Sequence, residues 1–241
     1  MLLQADAKQL EWVGAAYLSQ DPVAINEIWG SVDMHSDNQK RFGLPSRLIA
    51  KTFVFRLIYG GSAYSYAHDP NFMSIGNEKY WQTIINNFYD KYKRLGEWHK
   101  EIYEEAVRER KLVMPTNRVY HFESEVKGNK VYYPRTKILN YPVQGLGADL
   151  MAIARVSLMT KLREMKDIVM VNTVHDSIIL DFNSKVWDNI HIVNLVDKCF
   201  NEVPNNFHKL FGKEFNLPMR VECQVGPTWG SMEVINADKR N

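Results

Sequence analysis

Residues Leu2-Leu3-Gln4-Ala5 form a short apolar run that predicts a strand delivering Asp6 at its end, and Trp12 through Leu18 start a helix behind it. From Arg47 to Tyr59 the pattern suits a helix, closed by the glycine pair Gly60-Gly61. Trp81, Ile85, Phe88, Tyr92, Leu95, Ile102 and Ala106 recur at three- or four-residue steps, bridged once near Trp98. They predict a long amphipathic helix, interrupted or bent around Gly96 and ended by Pro115. Asn117 to Phe122 and Gly128 to Tyr133 read as the two arms of a hairpin with Lys127 to Asn129 at its turn. An amphipathic run from Asp149 to Lys166 follows. The β-rich stretches Ile168 to Val174 and Ile178 to Phe182 then flank His175-Asp176-Ser177, a second hairpin with an aspartate at its tip. A helix near 187–202 and a final strand, Met219 to Val225, complete an α+β pattern without repeat or flexible linker.

Two features of this pattern carry chemistry. On the Arg47 helix, four-residue spacing lines Arg47, Lys51, Phe55 and Tyr59 along one face, two cations and then two rings. Such a face suits a nucleoside triphosphate, whose phosphates take the cations and whose sugar and base take the rings. A solvated or packed basic helix is the alternative reading. Asp6 and Asp176, each at a strand end, are the second feature. Two carboxylates brought together from strand ends bind a pair of Mg²⁺ ions, hard cations that prefer oxygen ligands. Two such ions roughly 3.5–4 Å apart stabilise both oxygens of a phosphoryl transfer. Turn or cap residues are the plainer reading of either aspartate taken alone.

Composition narrows the picture. The chain has 241 residues, a formal net charge of +2 and a pI of about 8.4, so no strongly basic surface grips duplex DNA by counterion release alone. Apolar residues make up 45%, which marks a globular chain. Cys199 and Cys223 form no metal-ligand cluster and are read as reduced thiols in a cytosolic compartment. His35, His68, His99, His121, His191 and His208 lack zinc-site spacing. Nothing resembles a signal peptide, and no apolar run approaches the roughly 18 residues of a membrane span.

Five segments in order resemble the motifs of family A DNA polymerases, the class of bacterial DNA polymerase I and many phage replicases. They are Asp6-Ala-Lys-Gln9-Leu-Glu11, Arg47 through Gly60, Asn140-Tyr-Pro142-Val-Gln144-Gly145-Leu-Gly-Ala148-Asp149, Val174-His175-Asp176 and the weaker Gly226-Pro-Thr-Trp229-Gly230. Asp33-Met-His35 resembles a further element. The resemblance, of a phage-type member, implies an α+β palm with an antiparallel sheet and mainly helical fingers. Residues 1–39 and 136–241 would be palm and 40–135 fingers. It implies template-directed transfer from a dNTP to a primer 3′-OH with two Mg²⁺ ions on Asp6, Asp176 and the Ala7 carbonyl. Arg47, Lys51 and His35 would meet the triphosphate, Phe55 the deoxyribose, and Gln9 would belong to the nucleotide site. Glu11 would exclude a ribose hydroxyl. Tyr59 and Gly60 would place the template base, while Asn140, Gln144 and His175 would probe minor-groove acceptors of primer-template DNA.

Departures qualify the resemblance. Ser177 stands where the Val174-His175-Asp176 motif commonly continues with an acid, and Thr136 where many relatives have arginine, with Arg135 and Lys137 beside it. Single-subunit phage RNA polymerases share a His-Asp-Ser turn but not Glu11 or the Pro142-Val-Gln144-Gly145 element. The first motif follows Met1 so soon that a thumb and a proofreading exonuclease are expected from a second chain. The chain is accordingly read as part of a split polymerase, or a truncated one, in the cytoplasm of a bacterial or phage-infected cell. A catalytically silent or partner-dependent assembly subunit is the alternative. A two-metal nuclease fits less well, since it needs neither a ribose gate nor a triphosphate clamp.

Overall fold

The computed structural model describes residues 1–128 and 130–237. They divide into two compact units, one of Met1–Leu10 with the chain from Leu146 onward, the other Glu11–Gly145.

The first unit is built on a five-stranded antiparallel sheet of β1 (Leu2–Ala7), β6 (Ile168–Val174), β7 (Ser177–Phe182), β8 (Val221–Gly226) and β9 (Glu233–Ile235), ordered β6-β7-β1-β8-β9. Strand β1 lies at the centre, with alternate residues buried: Leu3, Ala5 and Ala7. The opposite face of β1 carries Gln4 and Asp6, and register sets Asp6 across from Ser177 on one side and Glu222 on the other. Helix α9 (Asn189–Asn201) buries Ile192, Val193, Val196, Cys199 and Phe200, and α10 (Val203–Phe211) buries Val203 and Phe207. Strand β8 does not end the sheet, because Gly226 turns the chain into a short 3₁₀ turn, Trp229–Ser231, and β9 follows.

The second unit holds α1 (Leu10–Ser19) beyond its first residue, α2 (Pro22–Trp29), α3 (Met34–Phe42), α4 (Arg47–Ile58), α5 (Ala63–Ala67), α6 (Glu78–Lys91) and α7 (Lys93–Glu109). Two small hairpins and the start of α8 (Arg135–Leu162) complete it. Its core is aromatic. Phe53 stacks on Trp81 at 5.8 Å, Trp81 on Tyr66 at 5.2 Å, and Trp12 meets Tyr92 edge-on at 4.9 Å.

The stripe from Trp81 to Ala106 is real, but it belongs to two helices that part at Tyr92 (φ −109°, ψ 66°) rather than at Gly96. Buried polar groups decide the place. Tyr92 Oη donates to Glu27 Oε2 at 2.8 Å, and Asp21 Oδ2 accepts from the Leu95 N–H at 3.1 Å, capping the new helix. Gly96 serves close approach instead, since a Cβ there would lie 2.9 Å from Tyr89 Cδ1. Pro115 does not end the run either. Helix α7 stops at Glu109 with Arg110 left-handed (φ 56°), and Pro115 lies in the turn of the hairpin β2 (Lys111–Val113)/β3 (Val119–His121). The single hairpin expected over 117–133 is therefore two, since Glu125–Lys127 (β4) pairs with Lys130–Tyr132 (β5). Of its expected turn, Asn129 lies outside the described residues. Helix α8 begins before Asn140 and Gln144, so both are mid-helix, with Pro142 between them.

Candidate active site

In the first unit the candidate acids converge through strand pairing. His175 and Asp176 are the two-residue loop between β6 and β7, and His175 is left-handed at φ 53°, the first loop residue, as a type II′ turn has it. The register shift between Met170 and Asn172 marks a bulge on β6 near this tip. Strand β7 pairs with β1, so the Ala7 N–H donates to the Asp176 carbonyl at 3.0 Å while Asp6 faces Ser177. Asp6, Ala7 and Asp176 thus meet at one sheet end, with His175 exposed beside them. Gln9 (φ 54°) occupies the left-handed turn that leaves β1. The Asp6 carboxylate accepts from Gln4 Nε2 at 2.9 Å and, on its other oxygen, from Ser177 Oγ.

The half-buried Asp6 and Asp176 carboxylates and the Ala7 carbonyl would together make an all-oxygen donor set. No ion pair neutralises either aspartate among the described residues, and no group of three or more His, Cys, Asp and Glu makes a protein cage there. That chemistry fits Mg²⁺, which takes one or two carboxylates and leaves positions to water and substrate phosphates.

In the second unit, Ser46 Oγ accepts from the Ile49 N–H at 3.2 Å and starts α4 at Arg47. Ala50, Phe53, Val54, Leu57 and Ile58 are buried, which leaves Arg47, Lys51, Phe55 and Tyr59 on the remaining face as their spacing predicts. Lys51 Nζ lies 5.6 Å from the Phe55 ring centroid, within cation–π range. Tyr59 caps the helix, and Gly60 follows at φ +88°, where a Cβ would also lie 3.2 Å from Leu139 Cδ1.

Arg47 is already engaged: its Nε donates to Asp33 Oδ2 at 2.7 Å and its Nη2 to Asp33 Oδ1 at 3.1 Å. Asp33 also caps α3, accepting from the N–H groups of His35 and Ser36. His35 is buried, edge-on to Phe55 at 5.4 Å, with Nδ1 lacking a partner among the described residues. Burial first, then the Arg47 charge, holds its pKa down at about 4, so the ring is neutral. It would offer phosphate a hydrogen bond rather than a charge.

Gln144 Nε2 donates to Tyr59 Oη at 2.6 Å, and Asn140 precedes Gln144 by one helical turn. Burial raises the Tyr59 pKa, the Glu11 charge raises it further, and the Gln144 hydrogen bond opposes them. Glu11, Tyr59 and Gln144 are thereby grouped. Gly145 leaves room for the Tyr120 hydroxyl, which a Cβ there would displace. Arg135 stacks over Tyr103 at 5.1 Å.

Sequence reasoning missed the Asp33–Arg47 pair and the roles of Gln4, Ser177 and Trp229. Gln4 was findable, because i and i+2 on a strand share a face. Trp229, whose Nε1 donates to Gln4 Oε1 at 2.6 Å across 225 positions, left no local signal.

The family model described as DNA polymerase family A matches residues 1–231. The chain is 27% identical over 240 residues to "DNA polymerase I, thermostable" of Thermus aquaticus, covering 95% of this chain and 27% of that protein. It is 26% identical to DNA polymerase I of Aquifex aeolicus, covering 93% and 38%. With DNA polymerase theta of Caenorhabditis elegans it shares 24%, covering 97% and 14%. The chain thus spans well under half the length of these relatives. A solved structure, "POL domain of Pol1 from M. smegmatis complex with DNA primer-template and dNTP", aligns with a TM-score of 0.77 at 18% identity, covering 96% of this chain and 40% of that one. The fold is accordingly the α+β palm-and-fingers portion of a polymerase domain. With the family's motifs in order and its model spanning 231 of 241 residues, this chain belongs to DNA polymerase family A.

Proposed function

We propose that this chain performs template-directed transfer of deoxynucleotides to a primer 3′-OH, with residues 1–39 and 136–241 as palm and 40–135 as fingers. The observation that carries the reading is the β1–β7 pairing, which brings Asp6 to the hairpin tip that bears Asp176. Two Mg²⁺ ions held by Asp6, Asp176 and the Ala7 carbonyl would supply charge stabilisation at the attacking and leaving oxygens. Lys51 and Arg47 bind the triphosphate and offset the charge that builds on pyrophosphate. His35 donates an N–H toward phosphate, and Phe55 packs on the deoxyribose. Glu11 fills the space a ribose hydroxyl would need, and Gln9 lies in the nucleotide site. Tyr59, held by Gln144, and Gly60 place the template base; Asn140, Gln144 and His175 test the minor-groove acceptors common to all four correct pairs.

Primer-template DNA and dNTPs are thus the proposed partners, the cytoplasm of a bacterial or phage-infected cell the proposed compartment. Among the described residues no helix is long and apolar enough to cross a membrane. The decisive experiment is extension of a labelled primer by the purified chain at low salt with Mg²⁺ and four dNTPs. Extension should fall at least about a thousandfold in Asp6→Asn or Asp176→Asn, on the order of 4 kcal/mol of transition-state stabilisation. Near-normal extension by either variant would remove the metal assignment. A second reading is a subunit active only with a partner chain that supplies a thumb, with or without an exonuclease. A folded chain silent alone and active with such a partner would establish it.

A further inference from the structure

Trp229, Gln4 and Ser177 are linked by hydrogen bonds that end on both oxygens of the Asp6 carboxylate. Trp229 Nε1 donates to Gln4 Oε1 at 2.6 Å, Gln4 Nε2 donates to Asp6 Oδ2 at 2.9 Å, and the buried Ser177 Oγ donates to Asp6 Oδ1. The backbone builds each link. Gln4 and Asp6 share a face of β1, and Ser177 is the β7 residue opposite Asp6. Gly226 lets the 3₁₀ turn fold back on the end of β8, since a Cβ there would lie 2.7 Å from the Ser231 carbonyl carbon. Thr228 and Ser231 then box that turn, their hydroxyls 2.8 Å apart.

Trp229 is 54% exposed, so core packing does not account for its place. Its N–H does. A glutamine amide presents an oxygen on one side and an NH₂ on the other, and only the NH₂ attracts a carboxylate. By occupying the oxygen, the indole N–H fixes which end of Gln4 meets Asp6. Both donors to Asp6 are neutral, so the carboxylate is oriented without its charge being cancelled. A carboxylate has about four lone-pair sites, and two of them stay open to a cation.

We propose that Gln4 and Trp229 are positioning residues that, with Ser177, hold the Asp6 carboxylate in its metal-binding orientation. The inference rests on the two-metal reading above. Partners of this kind typically change metal affinity by about 10–100-fold when removed. Ser177 takes part in the same arrangement: where an acidic residue was expected, a hydroxyl donor replaces a like charge beside Asp6.

The test is Mn²⁺ binding to the full chain, followed by electron paramagnetic resonance without nucleotide, for wild type, Asp6→Asn, Gln4→Leu, Trp229→Phe and the Gln4→Leu/Trp229→Phe double variant. Folding is checked by circular dichroism. Loss of the site in Asp6→Asn, with about tenfold weaker binding in each single relay variant, is the expected result. Because Trp229 acts through Gln4, the double variant should bind no more weakly than Gln4→Leu alone. In extension, the Mg²⁺ concentration for half-maximal rate should rise in parallel. Wild-type Mn²⁺ affinity in a folded Gln4→Leu or Trp229→Phe chain, or additive losses in the double variant, would overturn the relay while leaving the metal site standing. Unchanged binding in Asp6→Asn would overturn the metal reading and the relay together. Should Gln4→Leu fail to fold, Trp229→Phe at its exposed site decides alone.

Discussion

Arg47 is the first cation of the candidate triphosphate face, yet Asp33 holds it through two hydrogen bonds, with the carboxylate 44% and the guanidinium 53% exposed. The pair pulls the Asp33 pKa far below the usual carboxylate range. So exposed a pair is screened by solvent and contributes about 1 kcal/mol or less. On the proposed reading a triphosphate would recruit Arg47 at small cost, and Asp33 would tune that cost. Asparagine caps a helix as well as aspartate does, so Asp33→Asn keeps the start of α3 while removing the charge. Triphosphate binding, measured by fluorescence titration with a dNTP, should tighten about two- to fivefold, with the melting temperature nearly unchanged. Weaker binding would show that Asp33 orients Arg47 productively instead of competing for it. The face itself was legible, because Arg47, Lys51, Phe55 and Tyr59 need only helical spacing. Its partner was not: Asp33 lies 14 positions upstream, in a cap that no periodicity announces.

Elements were legible where one period governed them and illegible where buried polar groups broke it. Helix α4 obeys its spacing, while the β6–β7 hairpin was legible from two β-rich runs around a short turn, since β7 buries Ser177 to Leu180 consecutively. At the α6–α7 junction the apolar stripe runs on while the backbone parts, since Asp21 is 1% exposed and serves two helices at once. Its Oδ1 accepts from the N–H groups of Val23 and Ala24 at the start of α2, and its Oδ2 from Leu95 in α7. Asp21→Ala would orphan these buried donors. One cap is worth about 1 kcal/mol and a buried unsatisfied group about 1–3 kcal/mol, so the variant should lose about 3 kcal/mol in urea unfolding. Asp21→Asn, which retains two acceptor lone pairs, should recover part of that loss. A loss below about 0.5 kcal/mol, the usual range of surface substitutions, would mean that Asp21 does not hold the junction.

At the scale of the chain, the order of motifs was readable. The way residues 1–10 return to the strands beyond Leu146 was implied only by the family resemblance, because strand pairing over such separations has no local signature. Burial of ionisable groups is likewise a tertiary property, and it sets how stability depends on pH. His35 is depressed to about 4, by burial first, then by Arg47 and Lys51, with Asp33 opposing; His99 is depressed to about 3, by burial and then by Arg135. Both rings lie in the Glu11–Gly145 unit and are neutral when folded, whereas in the unfolded chain they titrate near 6.5. As pH falls through 6.5 the unfolded state therefore takes up protons that the native state refuses, and stability falls with it, down to the folded pKa values. Two such protons give a slope of up to about 2.7 kcal/mol per pH unit between roughly pH 5.5 and 4.5. The depressed Asp33 carboxylate lends stability that is present above its ordinary pKa of 3.8 and is lost as pH falls below it, so its slope lies mainly under that window. Urea unfolding followed by tryptophan fluorescence, to which Trp12, Trp81 and Trp98 of the same unit contribute, should show this slope. His35→Gln should reduce it to about 1.4 kcal/mol per pH unit by removing one of the two protons. A slope unchanged by that substitution would mean that His35 takes up its proton without unfolding, and the neutral, buried ring beside Phe55 would have to be abandoned.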